Sequence, residues 1–158
     1  MAIDHEACYA ALATRLQTYC AQYIKIPVSR KIISYDQVPQ ESMPCIFSVA
    51  THQSPRVDGP LSAVWTLGAA IVIYARADVD PNASAETEIN TLLGRIEAAL
   101  EKQSDETSMV PGQTQQHWTT LGGTVLFIHP GTIEMELGAQ GNQGIAIFPV
   151  DMLLMPSL

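Results

Sequence analysis

The 158-residue sequence is acidic, with a formal net charge of −8, and 47% of its residues are apolar. This apolar content suffices for a core, so we predict a single domain over residues 1–158. The eight scattered Lys and Arg residues do not form the basic patch of a sequence-specific nucleic-acid surface, and no apolar run approaches the roughly 20 residues of a membrane span.

The N-terminal segment and the cysteines indicate the cellular setting. Residues 1–14 carry Asp4 and Glu6 and lack a basic stretch followed by an apolar run, so we expect no signal peptide. Cys8, Cys20 and Cys45 are an odd set without C-x-x-C spacing. Such a set favours reduced thiols in a cytoplasm.

A first helix is predicted from Asp4, a suitable N-cap, to about Tyr23. Cys8 and Cys20 are expected as small core residues of this helix, and Pro27 prevents the helix from continuing. The apolar stripe of the helix consists of Tyr9, Leu12, Leu16, Tyr19 and Tyr23.

Two short strands are predicted next, Arg30–Tyr35 and Cys45–Ala50, with a polar turn region over residues 36–43 between them. Residues 51–61 are rich in polar side chains, Pro and Gly and therefore predict a loop. Projecting loops on rigid scaffolds commonly contact partners. The contact residues predicted in this loop are Gln53, Arg56 and Asp58.

The segment Ala63–Arg76 predicts the central strand. Both of its alternating sets of residues are apolar, so both faces need cover. At about 3.3 Å per residue a straight strand of this length exceeds about 40 Å, so we expect it to bend at Gly68 or to reach past its own domain. Sheet surface that two helices cannot cover favours assembly with other subunits.

A second helix is predicted with Asp80 as N-cap and Pro81 as first residue. Asp78 also opens a sequence resembling a calcium loop, but Ala83 and Ile89 stand where Gly and a bidentate carboxylate are required, so we predict no metal. The apolar face of this helix consists of Ala85, Ile89, Leu92, Leu93, Ile96, Ala99 and Leu100.

Residues 103–117 form the most polar long stretch and cannot contribute a core segment. A stretch of this kind is either mobile in the free protein or ordered by a partner. The contact residues predicted at its end are Gln113, Gln115, Gln116 and Trp118.

The C-terminal residues return to strands. Residues 124–128 predict a strand, and a type II turn at Pro130 and Gly131 joins it in a hairpin to a second arm, residues 132–137. Ile133, Met135 and Leu137 of this arm are expected to face the core. The last predicted strand is Ile145–Leu154, with Pro149 expected at an edge or a bulge.

These elements predict an α+β fold. We expect a mostly antiparallel or mixed sheet of five to six strands, with two α-helices packed on one face of it.

No set of residues predicts catalysis. Leu121–Thr124 is glycine-rich but lacks the Lys of a P-loop and the strand-to-helix setting of dinucleotide sites, and no G-x-S-x-G motif is present. We therefore predict that the protein is not an enzyme and has no catalytic, cofactor-binding or metal-binding residues. The histidines, none of which form a pair with metal-ligand spacing, are His5, His52, His117 and His129.

The order of the predicted parts is more informative than any single motif. The stretches that mark this order are Val38-Pro39, Met43-Pro44-Cys45-Ile46, Trp65-Thr66-Leu67, Tyr74-Ala75-Arg76, Ile89–Leu93, Ile96–Leu100 and Leu121-Gly122-Gly123. In this order they resemble the tail terminator proteins of tailed phages, of the minor tail protein U type. The resemblance covers nearly the whole chain and consists of patterns of apolar residues.

The resemblance implies a non-enzymatic bacteriophage structural protein, assembled in the host cytoplasm and located in the virion, in the viral tail near the head. It would form a homo-oligomeric ring, a hexamer, that caps the tube of tail tube protein and ends its polymerisation. The ring would also join the tail to the head connector protein. DNA would pass through its lumen without sequence-specific binding, and we expect acidic charge to line that lumen.

Two alternatives remain open from the sequence. A head-to-tail joining protein, a connector or adaptor, would share the size and the ring symmetry. A small-molecule or protein-binding α+β accessory domain would instead show an enclosed pocket with convergent polar groups.

Overall fold

The computed structural model describes residues 3–57, 63–77, 84–106, 116–138 and 142–154. Its helices and strands are α1 (His5–Cys20), β1 (Cys45–Val57), β2 (Ala63–Arg76), α2 (Ala85–Leu100), β3 (Phe127–Pro130), β4 (Glu134–Leu137) and β5 (Gln143–Leu154). The strands form one five-stranded sheet in the order β1-β2-β5-β3, with β4 also paired to β5. All pairs are antiparallel, which confirms the predicted α+β fold.

Helix α1 begins where the sequence predicts. The Asp4 carboxylate accepts a hydrogen bond from Ala7 N at 2.9 Å, which confirms the N-cap. The helix ends at Cys20, short of the predicted Tyr23, and Tyr23 is 38% exposed. The buried residues of the helix are Cys8, Tyr9, Leu12, Leu16 and Cys20.

Helix α2 has the predicted apolar face but a later start. Every residue predicted for that face is buried. The predicted start at Asp80 and Pro81 is wrong, because Ser84 is the N-cap and its hydroxyl accepts a hydrogen bond from Thr87 N at 3.3 Å. Asp80 and Pro81 themselves, with Asp78, lie outside the described residues.

Both helices pack on the same face of the sheet, which we call the helix face. There the alternation of β2 and β5 buries one residue in two, and Leu67, Ile71 and Ile73 of β2 are fully buried. Each such side chain contributes about 1.5–3 kcal/mol of stability through burial. The even-numbered residues of β5, from Gly144 to Leu154, lie on this face and are all buried.

The connection from α1 to β1 covers part of the opposite face. Residues 30–35 were predicted as a strand, and this is wrong. Just before these residues, Ser29 makes an isolated bridge to Phe47, and a 3₁₀ turn follows at Tyr35–Gln37. Ile33 and Tyr35 are apolar because they pack against the sheet from outside it.

Strand β1 is longer than predicted, and residues 51–57 belong to it instead of to a loop. They pair with β2 as far as Val57 and Ala63. Their polarity misled the prediction because β1 is an outer strand with little to bury in this half. An outer strand also tolerates Pro55, which has no N–H to donate.

The predicted hairpin at Pro130 and Gly131 is wrong. Strands β3 and β4 do not pair with each other, and both pair in succession with β5. The break between them faces Pro149, whose carbonyl accepts a hydrogen bond from Gly131 N at 2.8 Å. Because N–H and C=O of one strand residue point to the same neighbour, the N–H that proline lacks would also face this break. Proline is therefore tolerated in an inner strand.

Strand β4 places Met135 and Leu137 on the helix face, opposite Ala146 and Gly144, as predicted, but they are not buried there. Met135 and Leu137 are 38% and 39% exposed, because this strand lies beyond the part of the sheet that the helices cover. Ile133, just before it, is partly buried against the core.

Candidate assembly surface

Within the described residues, the face of the sheet opposite the helices is covered at one end only. There Phe47, Val72 and Tyr74 pack with Val38 and Met43 of the α1–β1 connection. Two hydrogen bonds fix this cover: Tyr74 Oη donates to Ile33 O at 2.9 Å, and Tyr35 Oη donates to Ala75 O at 3.0 Å. The covered part forms a second, smaller hydrophobic cluster.

Beyond this cover the same face continues across four strands, and we call this part the open face. Its half-exposed apolar side chains Val64, Phe127 and Leu153 belong to neither hydrophobic cluster in the described part of the chain. Ile147 is 40% exposed. The register assigns the following residues to the open face: His52, Ser54, Val64, Thr66, Gly68, Phe127, His129, Ile147, Pro149, Asp151 and Leu153.

A β-bulge decides which residues of β1 reach the open face. The register between β1 and β2 shifts between Ala50 and His52, so Thr51 is the extra residue. A bulge of this kind reverses the alternation that follows it. As a result His52 and Ser54 point to the open face, whereas Gln53 points to the helix face.

A row of polar side chains crosses the open face. In register, His52 lies opposite Gly68, Gly68 opposite Asp151, and Asp151 opposite His129. The His52 ring lies over Gly68, where a Cβ would stand 2.1 Å from the ring. The ring reaches Asp151, with Nε2 and Oδ1 3.5 Å apart. Both side chains are about half exposed, so this pair contributes little to stability.

The contact residues predicted from sequence lie in different places. Gln53 is exposed beside α1, and its Oε1 lies 2.9 Å from His5 Nδ1. Arg56 lies on β1 opposite Val64. Asp58, Gln113 and Gln115 lie outside the described residues.

The remaining predicted contact residues, Gln116 and Trp118, have internal partners. The Gln116 amide donates to Trp118 O and Leu126 O, at 2.8 and 3.0 Å. Trp118 is partly buried against the core and forms a bridge with Glu101. A contact role for these residues remains a prediction, and the residues of the open face were not predicted individually.

A polar groove of about 720 Å³ lies beside α1, but its Arg15 is used internally. It is lined by residues of α1, including Arg15, and by residues 103–105 and 121–122. Arg15 Nη2 donates to the Glu106 carboxylate at 2.9 Å. Glu106 also accepts hydrogen bonds from Thr119 Oγ1, Gln103 N and Gly122 N, at 2.6, 3.0 and 3.2 Å.

This set of donors makes Glu106 a structural tie. Burial acts to raise the pKa of its carboxyl group, but the hydrogen bonds from Thr119, Gln103, Gly122 and Arg15 outweigh burial and hold the pKa below its ordinary value. The carboxylate joins α1 to the turn after Trp118. In that turn Leu121, Gly122 and Gly123 all have positive φ.

The three thiols of the chain are also buried. Cys8, Cys20 and Cys45 are buried free thiols, and burial raises the pKa of Cys20 and Cys45 to about 11. Within the described ranges, no group of His, Cys, Asp and Glu side chains is arranged to hold a metal ion. No helix in those ranges is long and apolar enough to cross a membrane.

Comparison with known proteins adds no assignment. No protein-family model matches this sequence, and no curated protein matches it.

Proposed function

We propose that this chain is a tail terminator subunit of a tailed phage, one copy of a ring that caps the tail tube and stops its polymerisation. The observation that carries the proposal is the open face. The strands run past the cover that the described part of the chain provides, and copies of the same chain in a ring would supply the rest.

The physical reason is the half-exposed apolar surface that continues across neighbouring strands. Val64, Phe127 and Leu153 lie on three different strands of one continuous surface, and contiguous apolar patches mark sites of association. The polar groove whose Arg15 is bound internally also favours assembly over small-molecule binding.

The acidic charge supports the further proposal that the ring interior lets DNA pass without holding it. The formal charge of −8 makes a basic pore unexpected. The electrostatic potential of the pore, calculated on an experimental structure of the ring, tests this point. A strongly positive lumen would contradict it.

Electron microscopy of phage particles made without the protein tests the function. A terminator is expected to leave overlong tails when it is absent. Tails of normal length that fail to attach to heads would instead identify the joining protein, and normal tails on complete particles would exclude both functions.

Complementation of the same phage tests the role of the open face. We expect Leu153→Asp to restore tail length poorly, because it places a charge on the surface that a neighbour covers. Ala10→Asp, at an exposed position of α1, is the matched control and should complement fully. Circular dichroism of both purified variants checks that the fold is kept.

A further inference from the structure

The exposed apolar side chains fall into two groups. In the described part of the chain, the large apolar residues that are exposed are Tyr23, Ile32, Met135, Leu137 and Ile147. Tyr23 and Ile32 bound one short segment of the α1–β1 connection. The others lie on β4 and at the position of β5 opposite Glu134.

The first group lies on a basic surface. Residues 23–32, which we call the basic flank, contain Lys25, Arg30 and Lys31 and no acidic residue. This segment runs along the outer side of β1: Lys25 N donates to Pro44 O at 3.0 Å, and Ser29 N donates to Ile46 O at 3.2 Å. Arg30 is paired with Glu6 of α1, whereas Lys31 is exposed and forms no ion pair within the described residues.

The second group lies on an acidic surface. Strand β4 and Ile147, which we call the acidic flank, contain exposed Glu134 and Glu136 and no basic residue. Ile147 lies opposite Glu134 and on the same side of the sheet as both glutamates, whereas Met135 and Leu137 lie on the other side, opposite Ala146 and Gly144. In the described sheet β4 pairs with β5 only, so its outer backbone edge is open. Open edges of this kind are places where another chain can bind.

The two flanks lie at opposite edges of the sheet. Two strands, β2 and β5, lie between β1 and β4, so three spacings of about 4.8 Å separate β1 from β4 by roughly 14 Å. One copy cannot bring its own flanks together. A second copy presents the complementary flank. A contact between unlike surfaces repeats from copy to copy, and it closes into a ring where the rotation between copies closes.

We propose that the basic flank of one copy binds the acidic flank of the next, with Ile32 and Ile147 in the apolar centre and Lys31, Glu134 and Glu136 as the charged rim. This contact rests on the proposed function, because it is the subunit contact of that ring. The arrangement of an apolar centre inside a charged rim is typical of specific protein interfaces. Opposite charge across the rim selects the head-to-tail orientation over like-with-like pairing.

Charge reversal tests the contact. The wild-type chain, Glu134→Lys/Glu136→Lys and Lys31→Glu are compared by size-exclusion chromatography with light scattering over a range of protein concentrations. Each variant is expected to need at least about tenfold more protein to assemble, because like charges then face each other. The matched control is Glu97→Lys/Glu101→Lys, the same charge change at exposed positions at the end of α2.

Rescue separates this contact from a general effect of charge. Mixing the Lys31→Glu chain with the Glu134→Lys/Glu136→Lys chain restores complementary flanks in alternation, so assembly should return towards the wild-type concentration. Raising the salt concentration should weaken assembly of the wild type, since exposed charges are screened.

The possible outcomes separate a failure of the flank contact from a failure of the proposed function. Charge variants that assemble like the wild type would overturn the flank contact and leave the ring proposal standing. A wild-type chain that stays monomeric at every concentration would overturn the flank contact in solution, and the tail-length experiment would still decide the function. Equal weakening by the α2 control would also overturn the assignment to these flanks.

Discussion

The two faces of the sheet are built from the same strands but are treated differently by the rest of the chain. On the helix face, Ile71 and its neighbours are fully enclosed by α1 and α2. On the other face, the α1–β1 connection covers Tyr74 at one end and leaves Ile147 and Leu153 half exposed. An apolar strand therefore indicates that a face needs cover, but not whether its own chain provides that cover.

The largest expected difference between the faces is in packing. We expect Ile71→Ala to lower the free energy of unfolding by about 2–5 kcal/mol, because it leaves a cavity in the enclosed core. Ile147→Ala is the matched change on the neighbouring strand and should cost less than about 1 kcal/mol in the monomer. Urea unfolding of both variants measures this, and equal losses would contradict the comparison.

The next largest loss of stability is expected at Glu106, whose carboxylate joins α1 to the turn after Trp118. Glu106→Gln is expected to lose about 1.5–3 kcal/mol at pH 7, because one amide cannot accept all four hydrogen bonds and its NH₂ group faces donors. The control Glu97→Gln changes the same group at an exposed site on α2.

The pH dependence of that loss gives a second readout. The pKa of Glu106 in the folded protein lies below its ordinary value of 4.5. Its contribution is therefore fully present above about pH 4.5 and is lost as the pH falls through the lower folded-state pKa. The stability gap between wild type and Glu106→Gln should be constant from pH 7 to about pH 5 and should narrow in more acidic solution. A gap that widens on acidification would argue against the tie.

Two glycines sharpen the comparison of the faces. A Cβ at Gly144, on the helix face, would stand 2.7 Å from Ile89 Cδ1 and 3.3 Å from Ala85 Cβ of α2. We expect Gly144→Ala to cost about 1–3 kcal/mol, because enclosed residues of a helix cannot move aside freely. A Cβ at Gly68, on the open face, would meet the His52 ring and the Thr51 hydroxyl, both on exposed side chains that can turn into solvent. Gly68→Ala should therefore lower stability less than Gly144→Ala, as measured by thermal unfolding of both variants. The reverse order would contradict the comparison of the two faces.

The smallest effect is expected for the polar row on the open face. His52→Gln and Asp151→Asn should each change the free energy of unfolding by less than about 1 kcal/mol, because both side chains are exposed and their charged atoms are 3.5 Å apart. Double-mutant analysis of the monomer measures the coupling. A coupling well above this value would show that the row is a structural element.

Local patterns in the sequence determined the elements in which buried residues recur at a regular spacing. The apolar face of α2 from Ala85 to Leu100 follows from helical periodicity, and the Asp4 cap follows from side-chain chemistry at a helix start. The α+β class follows from these helices together with strands that are apolar on one or both faces. Each of these features depends on residues within a few positions of one another.

The tertiary structure decided what depends on distant partners. The polar half of β1 is a strand because β2 pairs with it, and β3 and β4 are separate because Pro149 lies opposite the break. Ile33 and Tyr35 form cover instead of a strand because Tyr74 and Ala75 bind them from another part of the chain. The open face and the two flanks depend on strand order. Strand order is set by hydrogen bonding between segments far apart in sequence, which no local pattern records.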